Sequence, residues 1–256
     1  MTSERVQDEG APLAGKAVLI TGAAKRVGAA IARTLHAAGA NIILHYHRSA
    51  GEAVALTREL GARRADSVAS VRGDLLATAA LADLVGTAER AFGRLDVLVN
   101  NASTFYPTPV GEIEERQWDD LIGPNLKAPL FLAQAAAAPL ERAEGLILNI
   151  VDIHGMRPLR RHPVYSIAKA GLIMLTRSLA RELGPAIRVN AIAPGPVMWP
   201  ESGADEDLQR KILERTALHR PGSPEDIAQA ALFFAAHAPY VTGQILAVDG
   251  GRSVGW

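Results

Sequence analysis

The chain has no cysteine, no excess of either charge, and no uninterrupted apolar stretch long enough to cross a bilayer. Without thiols, neither disulfides nor thiolate catalysis is available. With 27 basic and 27 acidic residues there is no electrostatic drive toward nucleic acid or an anionic membrane, so the expected partner is a small molecule. The opening stretch MTSERVQDEGAP is polar and lacks the apolar middle of a signal peptide, which predicts a soluble, cytoplasmic protein. Linkers, internal repeats and low-complexity tracts beyond alanine richness are also missing. The 256 residues, 48% of them hydrophobic, therefore read as a single core.

What is present is an alternation. The apolar runs KAVLIT, NIILHY, LDVLVNNA, GLILNIV, IRVNAIAPG and QILAVDGG are separated mostly by longer, alanine-rich, helix-like stretches. Such alternation predicts βαβ units, and continuous apolar strands suit a parallel sheet covered on both faces, a Rossmann-type doubly wound α/β domain. Residues 1–13 are expected to form a flexible N-terminal arm and 14–256 the single domain. Ser223 is placed to cap a helix whose first turn is acidic. The prolines and the charged run ADEDLQRK between Pro194 and Pro221 predict a substrate lid, about residues 195–221, over the carboxyl edge of the sheet. Pro124 and Pro129 fall in one helical stretch, which should bend or become irregular there.

TGAAKRVG, residues 21–28, sits between a strand and a helix. Gly22 and Gly28 bracket a turn whose backbone N–H groups can approach a pyrophosphate, with Lys25, Arg26 and Val27 between them. Arg26 stands where a dinucleotide fingerprint would place its second glycine. Its guanidinium can pair with phosphate or reach an anionic or π-rich ligand beyond it, although a solvated Lys-Arg pair on an ordinary glycine turn would look the same. After the second strand come His47, Arg48 and Ser49 rather than an acid, and such donors suit a 2′-phosphate; the expected cofactor is NADPH. His45 and His47 have no third ligand in view, so no metal site is expected.

Tyr165 and Lys169, four apart in VYSIAKA, project from one helix face. An ammonium beside a phenol favours the phenolate and should bring this weak acid toward neutral pH, the requirement for general acid chemistry.

TGAAKRVG, NNAS at 100–103, Asn125, YSIAK and the PG of 194–195 together resemble the short-chain dehydrogenase/reductase family over essentially the whole chain. The resemblance implies that Tyr165 exchanges the substrate proton, that Lys169 holds the nicotinamide ribose and tunes Tyr165, and that Asn125 supports a water-linked relay. It also implies that Asn101, Ala102, Pro194 and Gly195 line the cofactor, that Asp74 lies on its adenine side, and that the protein is a homotetramer.

One departure is informative. Thirteen residues before Tyr165, where most relatives place a serine, stands Asp152. A carboxylate accepts hydrogen bonds and repels developing negative charge, so it suits an N-heterocycle better than a carbonyl. Arg26 and Asp152, with HYHRSA at 45–50 and NNASTFYPTP at 100–109, resemble the pteridine reductase branch. That branch implies reduction of a C=N bond of a dihydropterin (dihydrobiopterin or dihydromonapterin) or of dihydrofolate to the tetrahydro form. Phe105 would form one face of a pterin sandwich, and Ser103 and Arg26 would bind the heterocycle or the cofactor phosphate. Met198 and Trp199 would begin the lid. His154, Met156, Arg157 and Arg160 would border the pocket. Two other readings stay open: a carbonyl reductase of 3-oxoacyl or sugar type, and a non-catalytic NADPH-binding regulator.

Overall fold

The computed structural model describes residues 10–197 and 205–255. Met198, Trp199, Trp256 and most of the expected arm lie outside the described residues. Among the described residues, seven strands pair in parallel in the order β3-β2-β1-β4-β5-β6-β7. They are β1 (Ala17–Ile20), β2 (Asn41–Tyr46), β3 (Val68–Arg72), β4 (Val97–Asn100), β5 (Leu146–Ile150), β6 (Arg188–Pro194) and β7 (Ile245–Val248).

Strand side chains alternate between faces, and both faces here are apolar. Val18, Ile20, Ile42, Leu44, Val97 and Leu148 pack toward α1 (Arg26–Ala37), α2 (Ala50–Arg63) and α8 (Pro224–Leu232). Ala17, Leu19, Ile43, Leu98, Ile147 and Val189 pack toward α3 (Leu81–Phe92), α5 (Ala128–Arg142) and α6 (Pro163–Glu182). Each fully buried leucine or isoleucine contributes about 1.5–3 kcal/mol, so the two half-cores fix the register of the central strands. The strand order turns back between β1 and β4, which opens a crevice at their carboxyl ends, the usual ligand position in such sheets.

The remaining helices are α4 (Glu115–Ile122) and α7 (Glu206–Glu214). The irregularity expected from the prolines is present: Gly123–Lys127, between α4 and α5, is a π-helical turn. Pro129 has no N–H, so the carbonyl of Asn125 lacks its α-helical i+4 donor. Ser223 and Asp226 cap α8 reciprocally, side chain to backbone in both directions. Leu13 is buried and its N–H donates to Ala38 O at 2.8 Å, so the packed domain reaches into the segment expected to be an arm. In the segment expected to form a lid, α7 has no fully buried residue, while Gly222 N–H donates to Pro196 O at 3.0 Å and closes the base of the loop. No helix among the described residues is long and apolar enough to cross a membrane.

Candidate active site

At the end of β1 the turn needs glycine at two places. Gly22 has φ +61°, and a Cβ there would lie 3.0 Å from Ala102 Cα. A Cβ on Gly28 would lie 2.5 Å from Gly22 O, so α1 could not pack so closely on the turn. Arg26 is also left-handed, φ +56°, a conformation that glycine would adopt without the roughly 1–2 kcal/mol strain of an L-residue. α1 begins with no side-chain cap from Lys25 and no acid in its first turn. Its positive end therefore has no carboxylate of its own to neutralise it, which fits a pyrophosphate there.

The turn is braced from behind. Thr21 Oγ1 accepts the N–H groups of Asn101 (2.9 Å) and Ala102 (3.0 Å), and Asn101 Nδ2 donates to Thr21 O (2.8 Å) and Gly22 O (3.1 Å). His45, 1% exposed, accepts Gly22 N–H on Nδ1 at 3.2 Å and donates from Nε2 to Gly73 O at 3.2 Å. Because an amide N–H only donates and a carbonyl only accepts, the ring must be the neutral Nε2–H tautomer. Burial agrees, pushing its pKa down to about 4. Sequence reading weighed His45 only as a metal ligand; its real partners are backbone groups 23 and 28 residues away in the chain. Among the described residues no cluster of three or more potential metal ligands occurs.

Past β2, His47, Arg48 and Ser49 line the cavity. Ser49 precedes α2 without capping it, so its hydroxyl is not committed to the helix. Asp74 accepts Leu76 N–H on one carboxylate oxygen at 3.0 Å, and its other oxygen lies 4.0 Å from His47 Nε2.

At the other end α6 brings Tyr165 and Lys169 under the carboxyl end of β5. Tyr165 is 5% exposed and Lys169 2%. The Tyr165 hydroxyl donates to Asp152 Oδ2 at 2.7 Å, and the backbone N–H of His154 fixes Asp152 Oδ1 at 2.8 Å. Lys169 Nζ donates to Ile150 O at 3.0 Å and lies 5.6 Å from the Tyr165 ring centroid. Burial lowers the Lys169 pKa to about 8, opposed by the attraction of Asp152.

This corrects the expected tuning of Tyr165. Its pKa is raised well above that of a free phenol, first by burial and then by the Asp152 carboxylate, with only a Ser103 hydrogen bond acting the other way. The lysine does not outweigh those effects; Tyr165 is a neutral phenol whose proton is directed at Asp152.

Asn125, fully buried, accepts the Ser103 hydroxyl at 2.7 Å and donates to Thr104 O (2.8 Å) and Leu121 O (2.9 Å). Its side chain therefore holds the 103–104 loop, and it does not line the cavity. Phe105 is 52% exposed rather than part of the core. Its ring stacks on His162 at 4.7 Å with an 8° interplanar angle, and it meets Tyr165 edge-on at 4.8 Å. One face is thus covered by His162, a residue that sequence reading passed over.

A cavity of about 800 Å³ runs from the turn to the tyrosine. Gly22, Lys25, Arg26, Val27, Gly28, His47, Arg48, Ser49, Asp74, Asn101, Ala102, Ser103, Asp152, Tyr165, Lys169, Pro194 and Gly195 all line it; Phe105 and Asn125 stand outside that lining.

A doubly wound sheet with a glycine turn and an uncapped helix start at one end and a buried Tyr-Lys pair at the other defines a nicotinamide-dependent oxidoreductase. Residues 22–253 match the family model described as enoyl-(acyl carrier protein) reductase, and the chain belongs to the short-chain dehydrogenase/reductase family. It is 39% identical to pteridine reductase 1 of Leishmania tarentolae, covering 92% of this chain and 96% of that protein. It is 34% identical to the 3-oxoacyl-(acyl-carrier-protein) reductase of Staphylococcus epidermidis (92% and 98% covered) and 33% identical to that of Chlamydia muridarum (94% and 98%).

Proposed function

We propose that this enzyme is an NADPH-dependent pteridine reductase that converts a dihydropterin or dihydrofolate to its tetrahydro form. The observation that carries the reading is the 2.7 Å hydrogen bond from Tyr165 to Asp152. In a carbonyl reductase the phenol and a second hydroxyl both donate to the reacting oxygen. Here the phenol proton is directed at a carboxylate, and that carboxylate would repel an oxyanion. A ring nitrogen is the better match, because Asp152 can accept an N–H while Tyr165, or a water beside it, delivers a proton.

NADPH, when bound, supplies the hydride to the ring carbon of the C=N bond; the adjacent nitrogen takes the proton. The turn of residues 22–28 and the α1 terminus would hold the pyrophosphate, and His47, Arg48 and Ser49 the 2′-phosphate. Lys169 would hold the ribose, with Asn101, Ala102, Pro194 and Gly195 along the cofactor and Asp74 on its adenine side. Phe105 would offer its uncovered face to the heterocycle, with Arg26 and Ser103 at its edge. Asn125 would act by positioning Ser103 and by its backbone carbonyl, which Pro129 deprives of the α-helical i+4 donor. The reading includes a cytoplasmic homotetramer and residues 195–221 as a lid.

NADPH oxidation with dihydrobiopterin, dihydromonapterin, dihydrofolate and an acetoacetyl thioester, run on the enzyme and on Asp152→Ser, tests the proposal. Pterin turnover that collapses in the variant while carbonyl turnover rises supports it. Thioester reduction with no pterin turnover overturns it in favour of a carbonyl reductase.

A further inference from the structure

Between Asp152 and Glu182 the chain has no carboxylate, and Arg157, Arg160 and Arg161 crowd the loop just before Tyr165. In a chain of zero net charge this is a run of cations with no acid in the same stretch of chain, between Asp152 and Tyr165 at the chemical end of the cavity. All three arginines are exposed, and among the described residues neither Arg160 nor Arg161 forms an ion pair.

Their backbone, by contrast, is tied down carbonyl by carbonyl. His154 Nδ1 donates to Arg157 O at 3.2 Å, His162 Nδ1 donates to Arg160 O at 2.9 Å, and Thr108 N–H donates to Arg161 O at 2.7 Å. Arg161 is held left-handed, φ +67°, a second arginine kept where glycine would be less strained. Strain retained next to a site points to a role for the strained residue. The loop is joined to the chemical end directly, since His162 is the residue stacked on Phe105. No residue of 153–162 lines the cavity with His47, Arg48 and Ser49, so these cations are separate from those facing the cofactor's 2′-phosphate end.

We propose that the Arg157–Arg161 loop binds an anionic tail of the substrate, a chain of carboxylates or a phosphate that leaves the cavity past Phe105. This rests on the pteridine reductase reading and narrows it: the favoured substrates are folates or pterins with a charged side chain, over neutral dihydrobiopterin. Rigid backbone lowers the ordering cost of binding, and exposed guanidinium groups can each take two oxygens of a carboxylate or phosphate.

The test compares kcat/KM for dihydropteroyl-triglutamate, and for a dihydropterin carrying a phosphate monoester, each as a ratio to dihydrobiopterin. The enzyme is set beside Arg160→Gln/Arg161→Gln and Arg160→Lys/Arg161→Lys. One or both ratios should fall about three- to tenfold in the Gln pair, as expected for two exposed ion pairs, and be largely restored in the Lys pair. In the unsubstituted enzyme the same ratio should fall when added salt shortens the screening length from about 10 Å to about 3 Å. The ratio that responds tells carboxylate from phosphate. Ratios unchanged by substitution overturn the tail site while leaving the reductase reading intact. If no pterin is turned over, calorimetry with p-aminobenzoyl-triglutamate alone decides. Binding weakened in the Gln pair keeps the anion site although the reductase reading has failed; no binding, or equal binding, overturns it. Loss confined to turnover of an acyl thioester on an acidic carrier protein also overturns it, in favour of a protein partner.

Discussion

The two ends of the cavity solve different problems. At the turn, Lys25, Arg26 and Arg48 are exposed cations, and beneath them lies a brace of two buried residues, Thr21 and a neutral His45, with the half-buried Asn101. At the other end the groups proposed to react, Tyr165 and Lys169, are themselves buried, and burial shifts both away from their solution behaviour. Binding an anionic dinucleotide needs positive charge on a fixed backbone, so the rigidity is buried and the charge is left in water. Moving a proton needs an acid shielded from water, so the acid is buried and its partner, Asp152, is supplied within hydrogen-bond reach.

That division predicts that substitutions at the two ends separate chemistry from binding. The largest effect is expected at Tyr165→Phe, which removes the proton directed at Asp152. kcat should drop by about a hundredfold or more, with NADPH affinity, read by fluorescence titration, changed far less. A variant that lost both equally would erase the distinction between the ends.

The pH profile sharpens the same contrast. Lys169 is held at about 8 by burial, so its charge is lost as pH rises through that value, and kcat/KM should decline on the alkaline side from there. Stability should respond in the opposite sense. The unfolded lysine binds its proton up to its ordinary 10.5, so between about 8 and 10.5 the unfolded state carries more protons and this group makes folding more favourable as pH rises. An alkaline limb still near 8 in Lys169→Met would assign it elsewhere.

At the turn, His45→Phe should leave Gly22 N–H and Gly73 O without partners, destabilising the fold by about 1–3 kcal/mol in denaturant melts. It should raise the KM for NADPH more than it lowers kcat. In the unsubstituted protein, the His45 contribution is full above pH 6.5 and is lost as pH falls toward about 4, because the unfolded imidazole takes up a proton that the buried one refuses. An effect confined to kcat would mean that His45 acts on the chemical end instead.

The smallest expected change is also the most diagnostic. Arg26→Gly should relieve the left-handed strain and raise stability by up to about 1 kcal/mol, net of the glycine's extra chain entropy, while weakening ligand binding. A variant that is less stable would show that the guanidinium's contacts within the protein outweigh the strain.

Much of the fold was legible beforehand because its signals are local. The apolar runs, the capping Ser223 and the two prolines at the π-helical turn act on their own few residues. The candidate site was legible as a set of residue types in order, but Tyr165 was misjudged. Four-residue spacing correctly placed Lys169 on its face, yet spacing carries no information about how much water the phenol loses. Phe105 was expected beside the ligand without the His162 that stacks on it, since a lone histidine at a helix start carries no sequence signal of that contact.

By itself the sequence determined a doubly wound parallel sheet, the glycine turn that follows its first strand, and the Tyr-Lys pair with its departure at Asp152. These follow from side-chain polarity, glycine's freedom and helical periodicity, all properties of neighbouring residues. Only the tertiary structure decided that His45 is a neutral brace, that Asn125 holds the 103–104 loop, and that the phenol is raised rather than lowered. Those depend on which distant groups meet and how far water is excluded, and desolvation exists only once the whole chain has packed.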